Sequence, residues 1–210
     1  MIQQSNMIRV LIADDHTIMR QGLAALVEQE PDLTVVAKAS NGQEALTMFR
    51  QYQPDVTLMD VRMPQMDGVE AITALCTEFE AARIVVFTAY DGDEDIYRGL
   101  RAGAKGYLLK DTEPDELFLA IRTVVSGKKY ISSAVGAKLA DRIDNAQLSD
   151  RELEVIRLIV TGKCNHEISQ ILHISESTVK FHINNILSKM GVSDRTQAAI
   201  AALKRGIVSL

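Results

Sequence analysis

Cysteine is scarce in this sequence, long apolar runs are missing, and no charged N-terminal segment leads into a hydrophobic one. The two cysteines, Cys76 and Cys164, stand far apart with no CxxC or Cys/His ligand spacing, which disfavours a disulfide scaffold and a zinc site. The longest apolar stretch is a handful of residues, well short of the roughly 18 to 20 that a bilayer span needs. The chain is therefore expected to be cytoplasmic, with no signal peptide and no membrane partner. Strong charge of one sign is absent as well, the formal net charge being −5 over 210 residues. With 47% hydrophobic and 24% charged residues, the composition excludes disorder, collagen and coiled coil.

The small net charge hides an asymmetry. Residues 1–127 carry 11 Lys and Arg against 20 Asp and Glu, whereas residues 148–210 carry 8 against 6. An acidic front joined to a mildly basic rear implies two domains with different partners. The front alternates two periodicities. Short runs rich in β-branched residues at 8–13, 33–39, 55–59, 83–88 and 105–109 read as buried strands. Between them, 17–28, 42–52, 68–78, 93–102 and 113–126 read as helices, the first with Ile18, Met19, Leu23, Leu26 and Val27 on one face. Five βα units in succession predict a doubly wound, flavodoxin-like five-stranded parallel sheet covered by helices.

The strand signal stops near Gly127, so the predicted division is 1–126, a partly helical linker at 127–147, and a small all-α domain at 148–210. In the last, Ser149 and Glu152 have capping-box spacing, and helices are expected to about Val160 and at 165–172, 176–190 and 194–205. Four helices in so short a segment leave no room for an enzyme cleft.

Ligands of such a sheet bind beyond the carboxyl ends of the strands. Asp14 and Asp15 follow the first strand, Asp60 follows the third, Thr88 ends the fourth, and Lys110 ends the fifth after Tyr107. Three converging carboxylates repel one another unless a cation lies among them, and hard oxygen ligands suit Mg2+. With the charge so neutralised, Asp60 is a candidate nucleophile toward a phosphoryl group, with Lys110 and the Thr88 hydroxyl sharing the charge of that group. Arg62 and Tyr90, each two residues beyond Asp60 and Thr88, are large enough to shield an aspartyl phosphate from water. His16 is expected to pack against or cap the first helix, and both cysteines to be plain buried thiols.

The runs Ala13-Asp14-Asp15-His16, Met59-Asp60-Val61-Arg62-Met63-Pro64-Gln65-Met66-Asp67-Gly68, Thr88-Ala89 and Gly106-Tyr107-Leu108-Leu109-Lys110-Asp111 resemble a two-component receiver domain. The resemblance implies that Asp60 accepts phosphate from a sensor histidine kinase. It also implies Mg2+ on Asp15, Asp60 and the Arg62 carbonyl, with Asp14 acting through water, and Thr88 and Tyr107 as a switch pair. Phosphatases of the haloacid dehalogenase type also phosphorylate a strand-end Asp, but they resemble a pattern with a second Asp two residues on, where this chain has Arg62.

In the rear block, Glu167–Leu172 is expected to turn Ile168, Ile171 and Leu172 inward. Residues 177–190 place Val179, Ile183, Ile186, Leu187 and Met190 on one stripe and Ser177, Phe181, Asn184, Asn185 and Ser188 opposite, with Lys180, His182 and Lys189 on the flanks. An aromatic centred on an outward face suits thymine methyls, and Asn suits adenine. The pattern Leu148-Ser149-Asp150-Arg151-Glu152 with Thr178-Val179-Lys180, His182-Ile183 and Lys189-Met190-Gly191-Val192 resembles the LuxR-type helix-turn-helix, and the whole chain resembles a NarL/FixJ-family response regulator, a non-enzymatic transcription factor. That implies base contacts from Lys180, Phe181 and Asn184, backbone contacts from Thr178, His182 and Lys189, and a phosphorylation-driven homodimer on an inverted repeat in promoter DNA.

Overall fold

The computed structural model describes residues 7–144 and 148–208. Residues 1–6, 145–147 and 209–210, assigned above to the front domain, the linker and the rear domain, lie outside the described residues. The front alternates strand and helix: β1 (Ile8–Ala13), α1 (Thr17–Val27), β2 (Leu33–Ala39), α2 (Gly42–Tyr52), β3 (Val56–Met59), α3 (Gly68–Glu78), β4 (Ile84–Thr88), α4 (Asp93–Arg101), β5 (Gly106–Leu109) and α5 (Pro114–Val125). All strand pairs are parallel, in the order β2-β1-β3-β4-β5, with Val10↔Val56, Leu58↔Val85 and Val86↔Tyr107 in register. The order reverses beside β1, which opens a crevice at the carboxyl ends of β1 and β3.

The sheet has a sixth strand that was not expected. Within the stretch read as linker, β6 (Tyr130–Ile131) pairs in parallel with β5 through Gly106↔Tyr130 and Tyr107↔Ile131. Two residues carry no measurable period, and the strand exists because the chain leaving α5 finds an open edge. The Tyr130 hydroxyl fastens it by donating to Glu116 Oε1 at 3.0 Å. The first core packs Val10, Ile12, Val56, Leu58 and Val85 against Leu23 and Val27 of α1 and Leu117, Phe118 and Ile121 of α5. Strands buried on both faces need this apolar continuity. Ile18 departs from expectation: it is 87% exposed, and Met19 is exposed too, the buried face of α1 being carried by Leu23, Ala24 and Val27.

After α6 (Ser133–Asp144) come α7 (Asp150–Val160), α8 (Asn165–Leu172), α9 (Glu176–Met190) and α10 (Arg195–Lys204). They enclose a second core of Val155, Ile156, Ile159, Ile168, Val179, Ile186, Met190, Ala198 and Ala202. Two compact units result: the chain up to Tyr90 and Ile96–Gly136 belong to the first, and Asp91–Asp95 with the chain from Ala137 onward to the second. His173 (φ 52°) ends α8 in the left-handed region, and Ser175 then caps α9 by accepting the Thr178 N–H at 3.1 Å. Ile171 was expected inside but is exposed, since α8 is covered on the side of Ile168 alone. No helix among the described residues is long and apolar enough to cross a membrane.

Candidate functional site

The ends of β1, β3, β4 and β5 bring four of the expected groups into bonding distance. Asp14 and Asp60 are each 2% exposed. Lys110 Nζ lies between them, 2.8 Å from Asp14 Oδ2 and 2.5 Å from Asp60 Oδ2. The other oxygen of Asp60 accepts from the Thr88 hydroxyl and from the Val61 N–H, both at 2.7 Å. Both carboxylate oxygens are thus held, which fixes the plane of the group. Burial pulls the Lys110 pKa down, but hydrogen bonds and charge from Asp14 and Asp60 outweigh it and hold the ammonium above the ordinary lysine value. Opposite charge in a site shielded from water is what makes this pairing strong.

Oxygens of Asp14, Asp15 and Asp60, with a nitrogen of His16, lie within 4.8 Å of one another. Asp15 Oδ1 is shut off from water yet accepts no hydrogen bond, although His16 Nδ1 is 2.9 Å away. An orphaned buried carboxylate oxygen beside two more carboxylates fits a hard divalent cation such as Mg2+. His16 stands at the N-cap of α1, as expected, but its exposed ring makes no cap bond; its carbonyl accepts from the Arg20 N–H at 2.9 Å, and its own N–H donates to Asp14 Oδ1 at 2.8 Å.

Three features of the site were not read from the sequence. The main chain of Tyr90 links the expected switch pair, because its N–H donates to Thr88 Oγ1 at 3.3 Å while its carbonyl accepts from the fully buried Tyr107 hydroxyl at 3.0 Å. The Arg62 guanidinium lies 3.9 Å above the Tyr90 ring, so the two side chains expected to shield the site stack on each other. Gly68, first residue of α3, donates its N–H to the Val61 carbonyl at 2.7 Å. A Cβ there would sit 1.9 Å from the Asp60 carbonyl oxygen. The Met-Asp-Gly run was the available signal, since glycine permits backbone approaches that no other residue allows.

In the second unit, α9 buries Val179, Ile186 and Met190, with Ile183 and Leu187 half-buried, as the stripe predicted. Lys180 and Asn184 are exposed, and Phe181 is 61% exposed with the His182 ring at its edge, 5.7 Å away. Thr178 is half-buried, its hydroxyl 2.8 Å from Ser175 Oγ. Lys189 is placed differently from expectation. Its ammonium lies 2.7 Å from Oε2 of Glu152, which is 3% exposed, so a buried carboxylate competes with any phosphate for it. Of the two cysteines, Cys164 is exposed rather than buried, and Cys76 is half-buried with its thiol pKa pushed up by desolvation.

Residues 10–122 match the family described as the response regulator receiver domain, and residues 146–202 match bacterial regulatory proteins of the luxR family. The transcriptional regulatory protein LiaR of Bacillus subtilis is 44% identical over 97% of this chain and all of its own. The nitrate/nitrite response regulator NarL of Escherichia coli K12 is 38% identical over 91% of this chain and 93% of its own. Among solved structures, RcsB of Salmonella enterica serovar Typhimurium, bound to a promoter in the presence of the phosphomimetic BeF3−, is similar with a TM-score of 0.75 and 27% identity, covering 96% of this chain and 99% of that one.

Proposed function

We propose, on the premise that the chain belongs to the two-component response regulators in which a receiver domain precedes a luxR-family DNA-binding domain, that it converts phosphorylation of Asp60 into promoter binding. The carrying observation is the Asp60 carboxylate at the end of β3, held on one oxygen by Thr88 and on the other by Lys110, beside the acidic pair. A carboxylate oxygen of Asp60 attacks phosphorus of a sensor kinase phosphohistidine, the P–N bond breaks, and the imidazole leaves. Lys110 and Thr88 are placed to follow the charge onto the phosphoryl oxygens, Lys110 as a cation and Thr88 as a hydroxyl donor. Asp15, Asp60 and the Arg62 carbonyl, with Asp14 through water, would hold Mg2+. When bound, that ion neutralises charge on the transferring group. Release of the Thr88 hydroxyl from Asp60 tugs on the Tyr90 main chain and hence on Tyr107, giving a two-state element that phosphorylation biases. Acetyl phosphate with Mg2+ should label the wild type, and Asp60→Asn should remove the label; a fully labelled variant refutes the assignment.

The remaining limits follow the same reading: a receiver over 1–126 with β6 added to its sheet, a linker to 147, and a helix-turn-helix over 148–210. Lys180, Phe181 and Asn184 are the base-reading residues, with Thr178 and His182 beside the backbone phosphates. A domain with so little excess positive charge neutralises few phosphates, so two copies on an inverted repeat are needed. Ile200, half-exposed on α10, supplies an apolar contact for pairing the two domains. Cytoplasmic localisation fits a partner set of kinase and DNA. Phe181→Ala and Asn184→Ala should each cost about 1 to 3 kcal/mol against the preferred operator and less against random duplex. An unchanged site preference for Phe181→Ala in a selection from random DNA removes it from the reading face.

A further inference from the structure

Lys189 sits in the last turn of α9, where a lysine beside a DNA-reading helix invites assignment as a phosphate contact. Its geometry points elsewhere. Nζ is 2.7 Å from Glu152 Oε2, and the Glu152 side chain is almost wholly withdrawn from solvent while Lys189 retains about a third of its exposure. The same Oε2 accepts the Ser149 N–H at 2.7 Å, and the Ser149 hydroxyl accepts the Glu152 N–H at 3.4 Å. Glu152 therefore closes the N-terminal cap of α7 and grips the C-terminal turn of α9 with one carboxylate. Burial raises its pKa, but Lys189 and the Ser149 bonds more than offset this and keep it below the usual carboxylate range. A carboxylate so deeply placed cannot lose its cation without being left charged and unpaired. The charge of Lys189 is thus already matched by Glu152, so a phosphate meets an ammonium that a buried carboxylate neutralises.

The core between α7 and α9 is apolar, drawing Val155, Ile156 and Ile159 from one and Val179, Ile186 and Met190 from the other. Apolar surfaces set the distance between helices but slide readily along each other, because such contacts are not directional. A charge-assisted hydrogen bond at the far end is directional. We infer that Lys189 is a positioning residue, locked by Glu152 so that α9 keeps one axial position and one rotation relative to α7, and that it contributes discrimination among sequences instead of phosphate affinity. This rests on the reading of α9 as the base-reading helix.

The test uses the full chain with beryllofluoride. Binding is measured to a duplex operator selected from random DNA and to a random-sequence duplex, between 50 and 200 mM salt. Lys189→Met should leave the slope of log K against log salt unchanged and lower the ratio of operator to random affinity about tenfold. A variant that is merely less stable loses active protein and keeps the ratio. Glu152→Gln, which removes the anchoring charge, should lower the ratio as well. The pair Glu152→Leu with Lys189→Met should recover most of the thermal stability lost by Lys189→Met alone, since a buried ion pair is replaceable by apolar groups of similar volume. The inference is overturned if Lys189→Met reduces the slope by about 0.9 for each protomer bound, or if Lys189→Met or Glu152→Gln keeps the ratio. Absence of salt-dependent binding by the wild type would instead remove the DNA-reading assignment, and the inference with it.

Discussion

Lys110→Met will unfold at a much lower urea concentration than the wild type in buffer without Mg2+, by about 3 to 5 kcal/mol. The reason is geometric: Asp14 and Asp60 share this one ammonium, and both carboxylates are buried. Removing it leaves two like charges side by side, and millimolar Mg2+ should restore part of the loss by binding the folded state alone. The rate of labelling by acetyl phosphate should fall about 10²- to 10³-fold even with Mg2+ present, the scale seen when one preorganised donor to a developing negative charge is deleted. The pH dependence has a definite sign. The Lys110 pKa in the folded chain lies above its unfolded value of about 10.4, so its contribution is complete below that pH. It is lost as pH rises through the folded value. The stability gap between wild type and Lys110→Met should therefore be constant from neutral pH to about 10 and narrow above it. A gap that widens in alkali would mean that the ammonium is not the group at work.

Gly68→Ala carries the second large effect. The added carbon would lie 1.9 Å from the Asp60 carbonyl oxygen and 2.9 Å from Val61 Cα, so every offending neighbour is backbone and no side chain can swing aside. The loop carrying Asp60 must move. Overpacking usually costs about 1 to 3 kcal/mol, and this case belongs at or above the upper end. Because the displaced atoms belong to the nucleophile's own residue, acetyl phosphate labelling should slow at least about tenfold, the cost of moving a reacting group off its productive geometry. Gly22→Ala is the matched control: it lies in α1 with nothing within 4 Å of the added carbon, and should stabilise the chain by about 0.5 to 1 kcal/mol. Equal behaviour of the two variants would show that the close approach at Gly68 is unimportant.

The βα order of the front unit was legible because β-branched runs and 3.6-residue periods alternate cleanly, and the observed elements begin and end within about a residue of the ranges expected from periodicity. The strand-end acids, Thr88 and Lys110 were legible for the same reason, since fixing a strand's last residue fixes which side chain crowns the sheet. What sequence pattern missed is what depends on the neighbour. Ile18 and Ile171 sit on apolar stripes, but whether a stripe's end is covered is decided by the packing element, and here both are exposed. Tyr90 acts through its main chain, about which its side chain says nothing. Glu152 was legible as a helix cap through its spacing from Ser149, whereas its hold on Lys189, 37 positions away, has no local signature.

The two-residue strand β6 bears on how the receiver can be separated from the rest of the chain. It covers the outer edge of β5, and Gly106 permits the approach, for a Cβ there would come within 3.2 Å of the Tyr130 carbonyl oxygen. Cutting after α5, where helical periodicity alone would place the boundary, removes that cover. The bare amides and carbonyls of Gly106 and Tyr107 then offer a template on which another molecule's strand can add, the usual route from a trimmed α/β domain to sticky, self-associating material. A fragment carried past Ile131 keeps the edge capped by its own chain, and should stay monodisperse at concentrations where one ending at residue 126 does not.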